Sequence, residues 1–150
     1  MAAAGPGSAY EVSQDERTMS VLAHVLQVVC AWIAPLIIFV LKRDSLFVKF
    51  HALQALILQI CLGAFWIIGG AVFMVTLFAS MATSTHNAPP ASVFYLFPIF
   101  WLVGMSVWVV VLVIAILYAI KAGRGEWADY PVIGRLVRHV LKIELRHPGC

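Results

Sequence analysis

Residues 50–120 read FHALQALILQICLGAFWIIGGAVFMVTLFASMATSTHNAPPASVFYLFPIFWLVGMSVWVVVLVIAILYAI, and no Asp, Glu, Lys or Arg occurs anywhere in that run. A soluble domain this small cannot stay apolar on every face for so long, because its outer surface must meet water. A bilayer imposes no such demand, so the run reads as membrane-embedded helix. Composition agrees. Of 150 residues, 63% are hydrophobic and only 11% are charged, against roughly a quarter charged in ordinary soluble proteins. The length allows one domain. Cys30, Cys61 and Cys150 lack metal-type or redox-type spacing. The first two fall in apolar runs, where a buried free thiol is expected, and Cys150 lacks the trailing residues of a prenylation box.

Upstream of the run, the N-terminus is small, polar and acidic, with Glu11, Asp15 and Glu16 against Arg17 alone. This is not the basic start of a secretory signal. Residues 1–17 are therefore expected to be a flexible tail ahead of a membrane domain over 18–137. Ser13 with Glu16 fits a capping box and predicts a helix start near Gln14. A first span is expected over about 20–41, where about 22 residues cover about 33 Å, enough for a hydrocarbon core of about 30 Å. Pro35 within it should kink the helix or mark a packing site. After the turn Lys42-Arg43-Asp44, the apolar stretch 45–82 is too long for one crossing. It divides into an interfacial start over 46–51, where Lys49 can snorkel, and a span over about 52–78. Gly69-Gly70 is expected to loosen that span or to allow close packing.

A neutral loop over 83–90 ends in Pro89-Pro90. The third span is expected over about 98–120, with Pro98 in its first turn and Tyr95, Phe97 and Trp101 in the aromatic belt at its entry. Beyond the turn at 121–127, residues 131–147 carry Val132, Ile133, Leu136, Val137, Val140 and Leu141 at helical spacing. Arg135, Arg138, His139, Lys142 and Arg146 fall largely on the other face. This predicts a basic amphipathic helix on an anionic membrane surface, with Arg135, Arg138 and Lys142 as its contacts. The fold class is thus all-α: an integral membrane protein with three transmembrane helices, an interfacial segment and a C-terminal amphipathic helix.

The basic residues set the threading. With three spans, nine of the ten Lys and Arg residues lie on one side, leaving only Arg17 opposite. The positive-inside rule then puts the C-terminus in the cytoplasm and the N-terminus outside. A four-span chain would divide the basic groups between the two sides.

Two polar stripes interrupt the spans. His24 and Gln27 share a face with Ala31 and Pro35, and His51, Gln54, Ala55 and Gln59 form a wider stripe on the second helix. Such stripes serve either as a polar path or ligand site or, more plainly, as interhelical hydrogen bonds. In the three-span threading His24 lies near the outer end of its helix and His51 near the inner end of its own. They would be about 30 Å apart, too far for a shared haem or metal ion. His86 reads as a solvated loop residue. Enzyme signals are absent: there is no carboxylate pair in the membrane, no nucleophile elbow and no phosphate-binding glycine loop. The expectation is a protein without catalytic residues, cofactor, metal or nucleic-acid partner.

Three segments together resemble a known family. They are Met19 to His24 with Pro35 to Phe39, then Phe47-Val48-Lys49-Phe50-His51-Ala52-Leu53-Gln54-Ala55, then Ala122 to Trp127 with Tyr130-Pro131. Over roughly residues 18–137 this resembles small bacterial integral membrane proteins related to the Tic-twenty subunit of the chloroplast import translocon. The resemblance implies a multi-pass protein of the bacterial inner membrane. It implies no catalytic residue, and it marks His24, Phe47, His51, Gln54, Gly125, Tyr130 and Pro131 as motif positions without an assigned role. The expected function is an accessory or translocon-like subunit of a membrane complex. The alternative is a small transporter or channel formed as a homo-oligomer. Its expected partners are the lipid bilayer and either further copies of itself or another membrane protein.

Overall fold

The structure, a computed structural model, describes residues 11–83, 91–131 and 133–141. These residues form five helices: α1 Gln14–Cys30, α2 Ile33–Leu41, α3 Leu46–Ala82, α4 Ala91–Gly123 and α5 Ile133–Leu141. The capping box forms as expected. Glu16 N–H donates to Ser13 Oγ at 3.3 Å, and Ser13 N–H donates to the Glu16 carboxylate at 2.8 Å.

Residues 20–41 do not make one crossing. The chain leaves α1 through Ala31, at φ 49°, and folds back as α2. Pro35 explains the restart. It has no N–H to give to a helix interior, so it falls in the first turn of a new helix, where none is needed. The free carbonyls at the end of α1 lie in apolar surroundings and need donors; Gln59 Nε2 of α3 supplies one to Gln27 O at 3.0 Å. The hairpin is closed at its open end by Lys42 Nζ, 2.6 Å from the Asp15 carboxylate. Ser45 O–H donates to the Glu16 carboxylate at 2.7 Å. The start of α1 therefore lies beside the end of α2, and the expected separation of residues 11–17 from the later basic segments across a membrane is overturned.

α3 begins on Ser45, whose Oγ accepts from Val48 N–H at 3.1 Å. Its 37 residues extend about 55 Å. The helix runs unbroken through Gly69-Gly70, and no atom lies within 4 Å of a Cβ built on either glycine. The expected loosening or close-packing point is neither. Close approach occurs instead at Gly104, where a Cβ would stand 2.5 Å from the Trp66 ring. α4 starts seven residues earlier than expected, at Ala91, so Pro98 lies inside it. α3 and α4 run antiparallel, with Phe73 stacked on Phe100 at 4.7 Å and Trp66 edge-on to Phe100 at 5.7 Å. Two helices, Leu46–Ala82 and Phe94–Gly123, are long and apolar enough to cross a bilayer.

The packing is uneven along this pair. Near the charged end, α1 lies against both α3 and α4, and α2 lies against α1 and α3. Ala23, Phe47, Val48, Phe50, Ala52 and Ala55 are fully buried there. Ala115, Ala119 and Ala122 keep the contacting face of α4 small, which lets helix backbones approach closely in lipid. Toward the other end, among the described residues, the two long helices have only each other, and none of residues 60–82 is buried. Cys30 and Cys61, expected to be buried, are exposed.

α5 starts at Ile133, so Pro131 lies in the turn ahead of it. It docks through Val137 and Gly134, both buried; a Cβ on Gly134 would collide with Asp129. Lys142, Arg146 and the rest of the helix expected to reach residue 147 lie outside the described residues. The eight described basic residues (Arg17, Lys42, Arg43, Lys49, Lys121, Arg124, Arg135 and Arg138) collect at the end where α1 and α3 start and α4 finishes.

Candidate functional site

The same hairpin that shortens the first span brings the two polar stripes together. α1 and α3 run side by side from the charged end, so their polar faces meet below the first turns. His24 Nε2 lies 3.1 Å from His51 Nδ1. The expected 30 Å separation is overturned, because α1 enters from the same end as α3 and not from the opposite one.

Donor and acceptor roles follow from the last partner in the chain. Glu126 O can only accept, so His51 Nε2, 3.1 Å away, carries a hydrogen. In a neutral ring His51 Nδ1 then accepts from His24 Nε2–H. His24 Nδ1 in turn accepts from Tyr130 O–H at 2.9 Å, and Tyr130 Oη accepts from Gln27 Nε2 at 3.4 Å. His24, His51, Gln27 and Tyr130 are buried, and the chain ends at Glu126, which is exposed.

Gln54 continues the network into the backbone. Its Oε1 accepts from Tyr130 N–H at 2.5 Å, and its Nε2 donates to Ala128 O at 3.3 Å. Tyr118 O–H donates to Asp129 O at 2.6 Å. Side chains from α3 and α4 thus serve the peptide groups of Glu126, Ala128, Asp129 and Tyr130, while the carbonyls of Ile120, Lys121 and Ala122 at the end of α4 accept from the N–H groups of Arg124, Gly125 and Glu126. Aromatic packing closes the cluster. Phe47 meets His51 at 4.6 Å and Trp127 at 5.2 Å, and Tyr118 meets Tyr130 at 4.2 Å. Burial raises the Tyr130 phenol above its ordinary range; the Gln27 hydrogen bond works the other way and Tyr118 adds to the rise. Tyr130 therefore remains a donor.

Of the motif positions, His24, Phe47, His51, Gln54 and Tyr130 converge on this cluster. Gly125 stands at its edge with φ 79°, where a Cβ would come within 3.2 Å of Arg17 Nε. Pro131 is exposed outside it. The three expected surface contacts behave differently. Arg135 is exposed, whereas Arg138 grips the Asp129 carboxylate with two guanidinium nitrogens, Nε at 2.6 Å, and covers the Phe50 ring at 5.6 Å. Lys142 is outside the described residues. Tyr118 and Asp129 belong to the cluster and were not singled out from sequence; the motif resemblance reached Trp127 and Tyr130 without giving them a partner. Among the described residues, no group of three or more His, Cys, Asp or Glu side chains could hold a metal ion. Every polar group of the two imidazoles is engaged by protein, so the cluster acts as a tie between α1, α3 and the segment that leads into α5.

Two long apolar helices, a short helical hairpin packed against one half of them and a polar tie at one boundary define a small all-helical integral membrane protein. The chain belongs to the magnetosome magnetite crystal formation protein family, MamF/MmsF, whose family model matches residues 15–137 and so takes in α1 to α4 and the first half of α5. Comparison with curated proteins and with solved structures returns no match. The resemblance to the Tic-twenty group is corrected by this match. The His51-Ala52-Leu53-Gln54-Ala55 and Gly125 to Pro131 segments that carried it lie inside the matched region. There His51, Gln54 and Tyr130 join the hydrogen-bonded cluster.

Proposed function

We propose that this chain is a non-enzymatic protein of the magnetosome membrane that takes part in magnetite crystal formation as an accessory subunit. The observation that carries the reading is the family match across residues 15–137. The bundle adds a direction. With the basic groups collected at one end, the positive-inside rule puts that end in the cytoplasm, and both residues 11–17 and the α5 region go with it. The neutral connection over 83–90 then lies on the opposite side, toward the crystal. The partners are lipid and other proteins of the same membrane, met through the bare faces of α3 and α4.

Deletion of the gene from a magnetite-forming host should change the size or shape of the crystals seen by electron microscopy, and the intact gene should restore them. Crystals indistinguishable from the parent's would refute the reading. Direction is tested separately by single cysteines in a chain whose native cysteines are replaced. On isolated, sealed magnetosomes a membrane-impermeant maleimide should label Ser13→Cys and spare Asn87→Cys until detergent opens the compartment. The reverse pattern would turn the protein over.

A further inference from the structure

The cross-section of this protein differs between its two halves. Gln59, which meets the last turn of α1, lies 13 residues into α3, about 20 Å along its axis. The α1–α2 hairpin therefore turns back near the middle of a bilayer whose hydrocarbon core is about 30 Å thick. Its outer surface is apolar: Val25, Val29, Ile33, Ile37, Val40 and Leu41 are all exposed. The half nearer the charged end thus holds four helices, α1 to α4, and the other half holds two, α3 and α4. A helix about 10 Å across occupies on the order of 80 Å², so the two extra helices roughly double the area taken from one leaflet. α5 enlarges the wide end further. It presents Leu136 and Val140, 51% and 58% exposed, beside the basic face.

We infer that the chain is a wedge that recognises strongly curved bilayer, with its charged, four-helix end in the convex leaflet. An inclusion that crowds one leaflet is relieved when that leaflet expands, and shallow amphipathic helices add to the same sense of curvature. The inference rests on the membrane placement proposed above and deepens it. A compartment lying inside the cytoplasm turns its cytoplasmic leaflet outward, which is the convex side and the side assigned to the basic groups.

The test uses the full chain, reconstituted into sonicated and into large extruded vesicles of the same phosphatidylcholine and phosphatidylglycerol mixture. Cys150 carries a fluorophore, with Cys30 and Cys61 replaced by alanine. Quenching by an impermeant reagent separates molecules with the charged end outside from those facing inward. The outward population should be several-fold denser per lipid on the small vesicles, and the inward population should be depleted there. Equal density on both sizes would overturn the wedge, as would enrichment that ignores orientation. Crystal phenotype plays no part in this readout, so failure here and failure of the proposed function are distinguishable.

Discussion

Tyr130 shows how much a single side chain carries when its neighbours are buried. It donates to His24 and accepts from Gln27. Tyr130→Phe leaves His24 Nδ1 and the Gln27 amide without that partner, and should lower stability by about 1–3 kcal/mol, measured by unfolding in mild detergent. The same residue predicts a pH effect. Because burial raises the folded phenol above its ordinary value of 10.0, the unfolded chain ionises first as pH rises. The unfolded state then binds fewer protons, and stability falls above pH 10.0. The alkaline loss should be shallower in Tyr130→Phe; equal slopes would show that the phenol does not titrate differently on folding. At this scale the sequence was half legible. His24, Gln27, His51, Gln54 and Gln59 stood out because polar residues in an apolar run are few. Their partners did not, since Glu126 and Ala128 contribute only peptide carbonyls, which every residue has.

Among the helices, the reversal at Ala31 was the hidden feature. Residues 20–41 have the length and composition of a span, and hydropathy records neither direction nor return. Pro35 was the one local signal, and a proline fits a kink as readily as a first turn. Ala31 holds φ 49° and ψ −130°, a region glycine occupies without steric cost. Ala31→Gly should therefore raise stability by about 1 kcal/mol, while a β-branched residue there should lower it. The α3–α4 contact makes a sharper case. Gly104→Ala would drive a methyl into the Trp66 ring and should cost about 1–3 kcal/mol. Adding Trp66→Phe removes the far ring that is struck and should recover part of the loss, a coupling readable in a double-mutant cycle. Gly69-Gly70 gives the opposite lesson: the dipeptide is conspicuous in sequence, yet a Cβ on either glycine meets no atom within 4 Å, so Gly69→Ala should be close to neutral or mildly stabilising.

For the molecule as a whole, the uncharged run correctly gave a helical membrane protein, whereas the charge reading set Arg17 opposite the other basic residues and the structure puts it among them. The number of crossings was misjudged because it depends on whether a short hairpin exits or returns. The surface role of α5 likewise divides between its arginines. Arg135 is exposed, and Arg135→Glu should weaken adhesion to anionic vesicles by about 1 kcal/mol or more, with the fold unchanged by circular dichroism. Arg138 is committed to Asp129 and the Phe50 ring. Its reversal to Glu should undock α5 from α3, seen as faster proteolysis of the segment after residue 123. If the two variants behave alike in both assays, the division of labour between them is wrong.

The return of α2 beside Asp15 also bears on how the chain is made. In the orientation proposed above, nothing upstream of α3 has to be carried through the oil, because the first two helices can slip in from the ribosome's side and stay there. Only the short connector after Ala82, which bears no formal charge apart from any proton on His86, must cross during synthesis. The pair flanking it can enter as one loop, so biogenesis asks of the insertion machinery a single translocation step.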